Sequence, residues 1–529
     1  MTGTVPDPHS PWAPLRRPLF RALWIATLVS NIGTWMHEVG AGWLMVTLDP
    51  SPMMVAFVQA ATALPAFFLA LPAGALADIV DRRRYLLATQ SWMLACAALL
   101  GGLTLAGSME AWSLLAFTFA LACGAAMMTP AWAATVPELV PREELHAAIA
   151  LNSTGVNVAR AVGPAVAGVL VAWAGPAVAF LLNAVSFLGV ITVLARWRRP
   201  RLEAEMPPER FFGAMRAGLR YVRAAPRLQA VMVRAFVFFL FGSAIWSLLP
   251  LVARGTGGGA QMYGVLLACI GAGAVSAAIA LPRLPSRWTR DGLVRSASVL
   301  LAAAMLLSAL ARSPAVLIPA MLLTGVSWLS VLSTLHVSAQ TAVPTWVRAR
   351  ALAVYLVMFS FGMTGGSILW GAIASRSSVA LALAAAALGS LVALVLTRGF
   401  TLGRQDMIDD PSAAWPAPAT QSDIAPDRGP VLVTVEYRVA AENGTAFAAA
   451  MQELRRVRRR DGAMLWGLFH DASDEERYVE TFLVESWAEH MRQHHRATAG
   501  DQAINDRVRA FHRGDDAPRV SHLVAAAFT

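Results

Sequence analysis

The sequence predicts an all-α membrane protein with twelve transmembrane helices in two six-helix bundles, followed by a C-terminal ferredoxin-like α+β domain. Three observations support this prediction. The 529 residues are 57% hydrophobic and only 14% charged, whereas soluble domains carry about a quarter charged residues. Apolar runs long enough to span a bilayer recur through the first 400 residues. After residue 400 charged residues become frequent, which indicates a separate soluble domain.

Hydropathy divides the chain into six regions. They are a tail at 1–18, a first bundle at 19–196, a central loop at 197–229, a second bundle at 230–398, a linker at 399–429 and a soluble domain at 430–529. The first apolar run is too long for a signal peptide, so we expect it to remain as helix one. The twelve spans are predicted near 19–48, 53–76, 86–107, 111–135, 146–173, 177–196, 230–253, 261–281, 292–311, 314–340, 350–374 and 379–397.

The composition excludes several functions. The chain has no lysine and no G-x-x-x-x-G-K-[ST] motif, which excludes nucleotide hydrolysis through a P-loop. The three cysteines, Cys96, Cys123 and Cys269, all lie within predicted spans, so no disulfide framework or thiolate metal site is expected. The net charge of +10 arises from arginines between the spans, which indicates a lipid bilayer rather than nucleic acid as partner. We expect no metal and no cofactor.

Arginines mark alternate connectors between the spans. Connectors rich in arginine are retained in the cytoplasm, so both termini are predicted to be cytoplasmic. The rich connectors contain Arg82, Arg83 and Arg84, then Arg142, ten arginines from Arg196 to Arg234, then Arg283, Arg287 and Arg290, and finally Arg348 and Arg350. The opposite connectors contain only Arg254, Arg312 and Arg376.

The two predicted bundles resemble copies of one unit. A short pattern of the first bundle recurs in the second at a constant offset of 203 residues, namely Val140-Pro141, Gly163 and Gly168 against Val343-Pro344, Gly366 and Gly371. A parallel repeat of six helices is one of the layouts of secondary transporters, whose substrate site lies between the halves near the middle of the bilayer.

The central loop is predicted to contain an amphipathic helix. Phe212, Met215, Leu219 and Val222 share one helical face, and arginines flank that face. Such a helix lies on the inner leaflet of a membrane. The alternative is a solvated linker helix.

Charged residues inside a span identify a candidate coupling site. An ionisable side chain there costs about 2.5 kcal/mol or more, and Glu38 is the acid that lies well inside an apolar run. Arg160 in helix five is comparably deep, so the two side chains are expected at one depth. A carboxyl that alternates between Arg160 and a wet cavity would load and release a proton. The alternatives are a static ion pair between helices one and five, and His37 as the titrating group.

Other polar and aromatic residues inside the spans are candidates for lining a substrate cavity. They are Asn31, Trp35, Asn152, Asn157, His336 and Gln340. Amides also serve as hydrogen-bonding contacts between membrane helices, and tryptophans also anchor helices at the lipid interface. For each amide the packing role is the alternative interpretation.

Two segments resemble motifs of the major facilitator superfamily. Residues 74–84, GALADIVDRRR, are similar to its loop between helices two and three, with Gly74, Asp78, Arg82 and Arg83 at matching positions and Asp81 where glycine is usual. Residues 163–168, GPAVAG, resemble the antiporter motif of its drug and proton exchangers through Gly163, Pro164 and Gly168. The resemblance implies that Asp78 faces the N-terminal end of helix eleven, near Arg350, and gates the cytoplasmic side.

Three further segments narrow this resemblance. Residues 31–36, 136–145 and 150–153 look like the subgroup that contains the enterobactin exporter and macrolide-efflux proteins. This implies a bacterial inner-membrane protein that exports a siderophore, macrolide or other amphipathic small molecule in exchange for protons, by alternating access. An importer or facilitator is the alternative.

The soluble domain is predicted to have the order β-α-β-β-α-β. Its strands are expected at Val431–Val439, Met464–Phe469, Tyr478–Ser486 and Val520–Ala526, and its helices at Thr445–Arg460 and Trp487–Thr498. The second helix resembles that of dimeric α+β barrels of the antibiotic-biosynthesis-monooxygenase type through Trp487, His490 and His494. We expect a dimerising or regulatory domain rather than an enzyme, with both histidines on a solvated helix surface; a fused monooxygenase-like domain is the alternative.

Overall fold

The computed structural model describes residues 10–197, 225–284, 288–343, 348–403, 424–425, 427–496, 498–514 and 516–526. The chain separates into two compact units, one formed by 1–208, 231–336 and 355–402 and the other by 209–230, 337–354 and 403–529. The amphipathic helix predicted in the central loop lies outside the described residues, as does most of the linker.

Among the described residues, twelve long helices lie in the regions where spans were predicted. They are α1 (Pro18–Leu48), α2 (Pro52–Ile79), α3 (Arg82–Leu105), α4 (Ala111–Leu139), α5 (Leu145–Ala174), α6 (Pro176–Arg196), α7 (Pro226–Gly255), α8 (Ala260–Ala280), α9 (Arg290–Leu310), α10 (Pro314–Thr341), α11 (Arg348–Arg376) and α12 (Val379–Leu396). Within the described ranges, eleven helices are long and apolar enough to cross a membrane. Helix α1 is not among those eleven, although it has 31 residues.

Local chemistry sets several helix ends. Helices α1, α2 and α6 each begin with proline, which has no amide hydrogen to leave unpaired in a first turn. Asp81 caps α3 by accepting a 2.9 Å hydrogen bond from the amide of Arg84. This cap places Arg82, Arg83 and Arg84 in the first turn of α3, whereas the sequence predicted them in a connector and the helix from residue 86.

The two six-helix halves pack against each other at one end of the first unit. We call this the Asp49 end, where α1 ends and α2 begins, and the opposite end, where α2 ends and α3 begins, the Asp81 end. A Cβ atom added to Gly371 of α11 would lie 2.6 Å from the Cβ of Ala56 in α2. Arg254 at the end of α7 donates a 3.2 Å hydrogen bond to the carbonyl of Val46 in α1. Helices from both halves therefore meet closely at the Asp49 end.

The C-terminal domain contains a four-stranded antiparallel sheet. Its strands are β1 (Val431–Arg438), β2 (Leu465–His470), β3 (Arg477–Val484) and β4 (Arg519–Val524), in the spatial order β2-β3-β1-β4. Its helices are α13 (Gly444–Asp461), α14 (Trp487–Arg496) and α15 (Ala499–Arg509). Helix α15 is an element that the sequence analysis did not predict. Thr498 begins it with a capping box to Asp501.

One face of this sheet is covered by the domain's own core. Val431, Val433, Val435 and Tyr437 alternate as buried residues along β1, and Phe447 of α13 is fully buried in the same core. The opposite face retains exposed apolar side chains, namely Leu465 (66% exposed), Phe469 (59%) and Leu523 (55%).

Candidate transport cavity

A cavity of about 450 Å³ lies in the first unit between helices of both halves. Along α1 its lining extends from Thr27 to Gly42, about 22 Å of helix at about 1.5 Å per residue. The second half contributes Trp246, Ser247 and Pro250 of α7 and Tyr263 and Leu267 of α8. Since these helices meet at the Asp49 end, the cavity is closed there by contacts between the halves.

Glu38 of α1 lines this cavity. It is the only acidic residue among the cavity-lining residues that the structure describes. His37 also contributes to the lining although it is 94% buried, and its ring packs on Phe180 with centroids 5.1 Å apart. The phenol of Tyr263 approaches α1 one turn further on, 2.8 Å from where a Cβ of Gly42 would lie. The carboxyl therefore lies at the junction of the two halves.

Arg160 lies near this carboxyl without forming a close ion pair. Its guanidinium is stacked over the ring of Trp35 at 5.6 Å from the ring centroid, and its Nε has no hydrogen-bond partner among the described residues. The charges of Arg160 and Glu38 interact, but no guanidinium nitrogen lies within 4 Å of a carboxylate oxygen of Glu38. The static salt bridge between α1 and α5 is thus not formed in this structure, and Arg160 is free of the constraint that such a bridge would impose.

The other predicted cavity residues separate into two groups. Asn31 and Asn152 line the cavity. Trp35, Asn157, His336 and Gln340 are not among the lining residues. Trp35 instead supports Arg160, and the His336 ring packs edge-on against Tyr355 with centroids 5.9 Å apart. Two of the six are therefore placed to contact a substrate in this conformation.

Gln59, Gln90 and Tyr263 are lining residues that the sequence analysis did not select. Gln90 is 97% buried, and its amide nitrogen lies 2.8 Å from the sulfur of Met128 while its carbonyl oxygen has no partner among the described residues. Both glutamines stand inside predicted spans, where a buried amide is costly. That cost is the sequence signal that would have identified them.

The arginines after α2 connect helices of the first half. Arg82 pairs with Glu138 of α4 at 2.5 Å and donates to the carbonyl of Ala134 at 3.3 Å. Arg83 donates to the carbonyls of Leu194 and Ala195 at 2.9 and 2.7 Å. A cation there complements the C-terminal end of α6. A Cβ atom added at Gly74 would meet nothing within 4 Å. The side chain of Asp78 is not among those that the structure describes.

We expect Arg82→Ala to reduce transport, whereas Arg84→Ala should leave it unchanged. Both variants remove one positive charge from the first turn of α3, but Arg84 is exposed and Arg82 pairs with Glu138. A hydrogen bond to a charged partner contributes about 1.5–3 kcal/mol, so the melting temperature of the purified protein should fall only for Arg82→Ala. If the two variants insert into the membrane equally and also transport equally, the arginines act only as topology signals.

The antiporter-motif residues are packing positions. A Cβ at Gly163 would lie 2.6 Å from the Cβ of Trp35 in α1. A Cβ at Gly168 would lie 2.8 Å from the Cα of Gly264 in α8. Pro164 lies within α5 between these contacts. The motif therefore lets α5 approach α1 on one side and α8, from the other half, on the other side.

A cavity between two helical halves, with a carboxyl at their junction, defines a membrane transporter of the major facilitator type. The chain belongs to the transmembrane secretion effector family of these transporters, whose model matches residues 9–529. The family and its relatives are transporters and not enzymes.

Relatives of named function share part of the chain. The enterobactin exporter EntS of Escherichia coli is 26% identical over 385 residues, which cover 72% of this chain and 91% of that protein. The staphyloferrin A transporter of Staphylococcus aureus is 22% identical over 256 residues. That match covers 48% of this chain and 64% of the relative, so the chain spans less than two thirds of its length.

Solved structures of low identity share the fold. A bacterial homolog of the human lysosomal transporter Spinster, in an inward-facing and occupied conformation, matches with a TM-score of 0.58 at 16% identity and covers 73% of this chain and 96% of that chain. The nucleoside transporter NupG matches with a TM-score of 0.61 at 13% identity and covers 72% and 99%. These matches confirm the major facilitator fold.

Proposed function

We propose that the chain is a proton-coupled exporter of a siderophore or a similarly amphipathic small molecule, working by alternating access. The observation that carries this proposal is the cavity with Glu38 at the junction of the two halves. Related proteins are named as an enterobactin exporter and a staphyloferrin A transporter, which supports siderophores as the substrate class. The absence of lysine and of a P-loop motif in the sequence favours an ion gradient over nucleotide as the energy source.

The chemistry of the cavity suits a polar chelator with apolar parts. Siderophores bind iron through several oxygen atoms and therefore present many hydrogen-bonding groups. The amides of Asn31, Gln59 and Asn152 are suited to bind such groups, and Trp132 and Trp246 supply flat apolar surfaces. Macrolides and other amphipathic molecules share this mixed character, so they belong to the same substrate screen.

We infer that α1 is the twelfth membrane span. Its polar side chains explain why its hydropathy falls below that of the other eleven helices, because Thr27, Ser30, Asn31, Thr34 and Glu38 all line the cavity rather than face lipid. With twelve spans and arginine-rich connectors at the Asp81 end, both termini and the Asp81 end are cytoplasmic and the protein resides in a bacterial inner membrane. Closure at the Asp49 end then corresponds to an inward-facing state.

The direction of transport is tested with membrane vesicles of both orientations. Inside-out vesicles expose the cytoplasmic face, so an exporter should accumulate iron-free siderophore in them when the lumen is acidic. Dissipating the pH gradient with a protonophore should remove this accumulation. Uptake into right-side-out vesicles instead would identify an importer, and equilibration independent of the gradient would identify a facilitator.

We also propose that the C-terminal domain is a ferredoxin-like domain that pairs with a second copy of itself. The spatial strand order β2-β3-β1-β4 with helices on one face supports that topology. The opposite face presents Leu465, Phe469 and Leu523 to solvent. A patch of exposed apolar side chains of this kind marks an association surface, and an identical face on a second chain is its matching partner.

We expect the double substitution Leu465→Asp with Leu523→Asp to convert a dimer of the full-length protein into a monomer. Two carboxylates on each face would be desolvated on pairing, which costs several kcal/mol without compensating partners. Light scattering of the detergent-purified protein measures the mass. The matched control is Val520→Asp, which alters an apolar residue of the same sheet that is 48% exposed but lies on the other face, beside Val435. A monomeric wild-type protein would contradict the dimerising role.

A further inference from the structure

Three histidines converge in the C-terminal domain. His490 and His494 lie one turn apart on α14, and His522 lies on β4. Their ligating nitrogens all lie within 4.8 Å of one another. The Nε2 atoms of His490 and His494 are 3.3 Å apart, and the ring centroids of His490 and His522 are 4.7 Å apart. The sequence analysis considered the two helical histidines as solvated surface residues and did not connect them with His522.

This spacing fits a shared metal ion. Zinc binds imidazole nitrogen at about 2.0–2.1 Å with tetrahedral geometry, so two nitrogens on one ion are about 3.3–3.4 Å apart. The observed 3.3 Å between His490 and His494 equals that edge length. A direct hydrogen bond between two neutral imidazoles has a similar length, but it does not account for a third ring placed beside the pair.

The surroundings resemble the shell of a metal site. Trp487 packs against His490 and His522, with ring centroids 5.5 and 6.2 Å apart, and supplies an apolar wall. His490 is 97% buried and Gln493 is 99% buried. The Nδ1 of His490 and both polar atoms of the Gln493 amide have no hydrogen-bond partner among the described residues. His494 and His522 are only partly buried, so the cluster is reached from solvent.

We propose that His490, His494 and His522 bind one divalent transition-metal ion through three imidazole nitrogens. Three imidazoles suit Zn²⁺, Fe²⁺, Co²⁺, Ni²⁺ and Cu²⁺ rather than Mg²⁺ or Ca²⁺, which require oxygen ligands. Three protein ligands leave a fourth position of a tetrahedral ion for water or a small ligand. The site lies in the soluble domain and is additional to the transport cavity.

Cobalt binding to the full-length protein tests this site. The protein is purified with a tag that contains no histidine, treated with a chelator and titrated with Co²⁺, whose visible absorption reports tetrahedral nitrogen ligation. We expect one Co²⁺ per chain, displaced by stoichiometric Zn²⁺. His494→Ala and His522→Ala should each weaken binding at least about tenfold, since loss of a ligand exceeds the 10–100-fold effect of second-shell changes. These partly buried positions are preferred to His490, whose replacement opens a cavity.

His470→Ala is the matched control because His470 is an exposed histidine of the same sheet, outside the cluster. It should bind Co²⁺ as the wild type does. If His494→Ala fails to fold, His494→Gln replaces it, with size-exclusion profiles confirming folding. The proposal is overturned if wild-type protein shows no tetrahedral cobalt absorption, or if the His470 and His522 variants weaken binding equally.

Discussion

Replacing Glu38 with glutamine is expected to abolish transport driven by a pH gradient. The rate of gradient-driven transport should fall at least about a hundredfold, because an ionisable side chain inside a membrane is costly and marks a functional site. Glutamine preserves the size and hydrogen-bonding capacity of the side chain but cannot exchange a proton. Because Glu38 is the only acidic residue among the described lining residues, no other carboxyl there can take over its proton exchange. The measurement is gradient-driven accumulation of siderophore in inside-out vesicles at several lumenal pH values.

A substrate-exchange assay distinguishes a variant that has lost proton coupling from one that no longer folds or inserts into the membrane. Counterflow of labelled against unlabelled substrate requires alternating access but no net proton movement, so Glu38→Gln should retain it. Glu143→Gln, which changes an exposed acid at the Asp81 end, is the matched control and should behave as wild type in both assays. If Glu38→Gln accumulates substrate at the wild-type rate with unchanged pH dependence, the coupling role is wrong.

The helical part of the fold was predictable from the sequence because a bilayer strongly constrains the backbone hydrogen bonds. Every backbone amide within a bilayer must be paired inside its own helix, so long apolar runs become helices even where proline occurs. Pro65 and Pro72 in α2, and Pro130 and Pro137 in α4, all lie within continuous helices. Helix starts were less readable, as α3 shows, because one capping side chain shifts the first turn by several residues.

The candidate site was only partly readable. Glu38 was identified because a carboxylate inside a span is costly. Gln59 and Tyr263 were missed because an amide or phenol in a membrane helix is as suited to packing as to a cavity. The sequence also does not specify which helix face a second bundle covers. His522 was missed for a related reason, since the sheet pairing brings β4 to β1 from far along the chain.

Gly168→Ala is the second substitution with a large expected effect. The added Cβ would lie 2.8 Å from the Cα of Gly264 and 3.2 Å from the carbonyl of Ala260. These are backbone atoms, which cannot rotate away as a side chain would, so α5 and α8 must separate. Overpacking of this kind costs about 1–3 kcal/mol, which shifts the balance about 5–150-fold away from the state closed at the Asp49 end. Transport should fall accordingly.

The same shift between conformations is measurable as the accessibility of a cavity residue to a labelling reagent. Ser247 lines the cavity on α7 and is 99% buried. Ser247→Cys, in a background without Cys96, Cys123 and Cys269, should react slowly with a membrane-impermeant maleimide added from the Asp49 side.

Adding Gly168→Ala should accelerate this labelling, because the contact that closes that side is lost. Gly264→Ala should have the same effect, since its Cβ would lie 2.6 Å from the Cα of Gly168. Gly102→Ala is the control, because a Cβ there meets nothing within 4 Å. Slower transport and a lower melting temperature without faster labelling would mean that the glycine pair only stabilises the helices. Faster labelling would place this contact between α5 and α8 among the parts that open and close during transport.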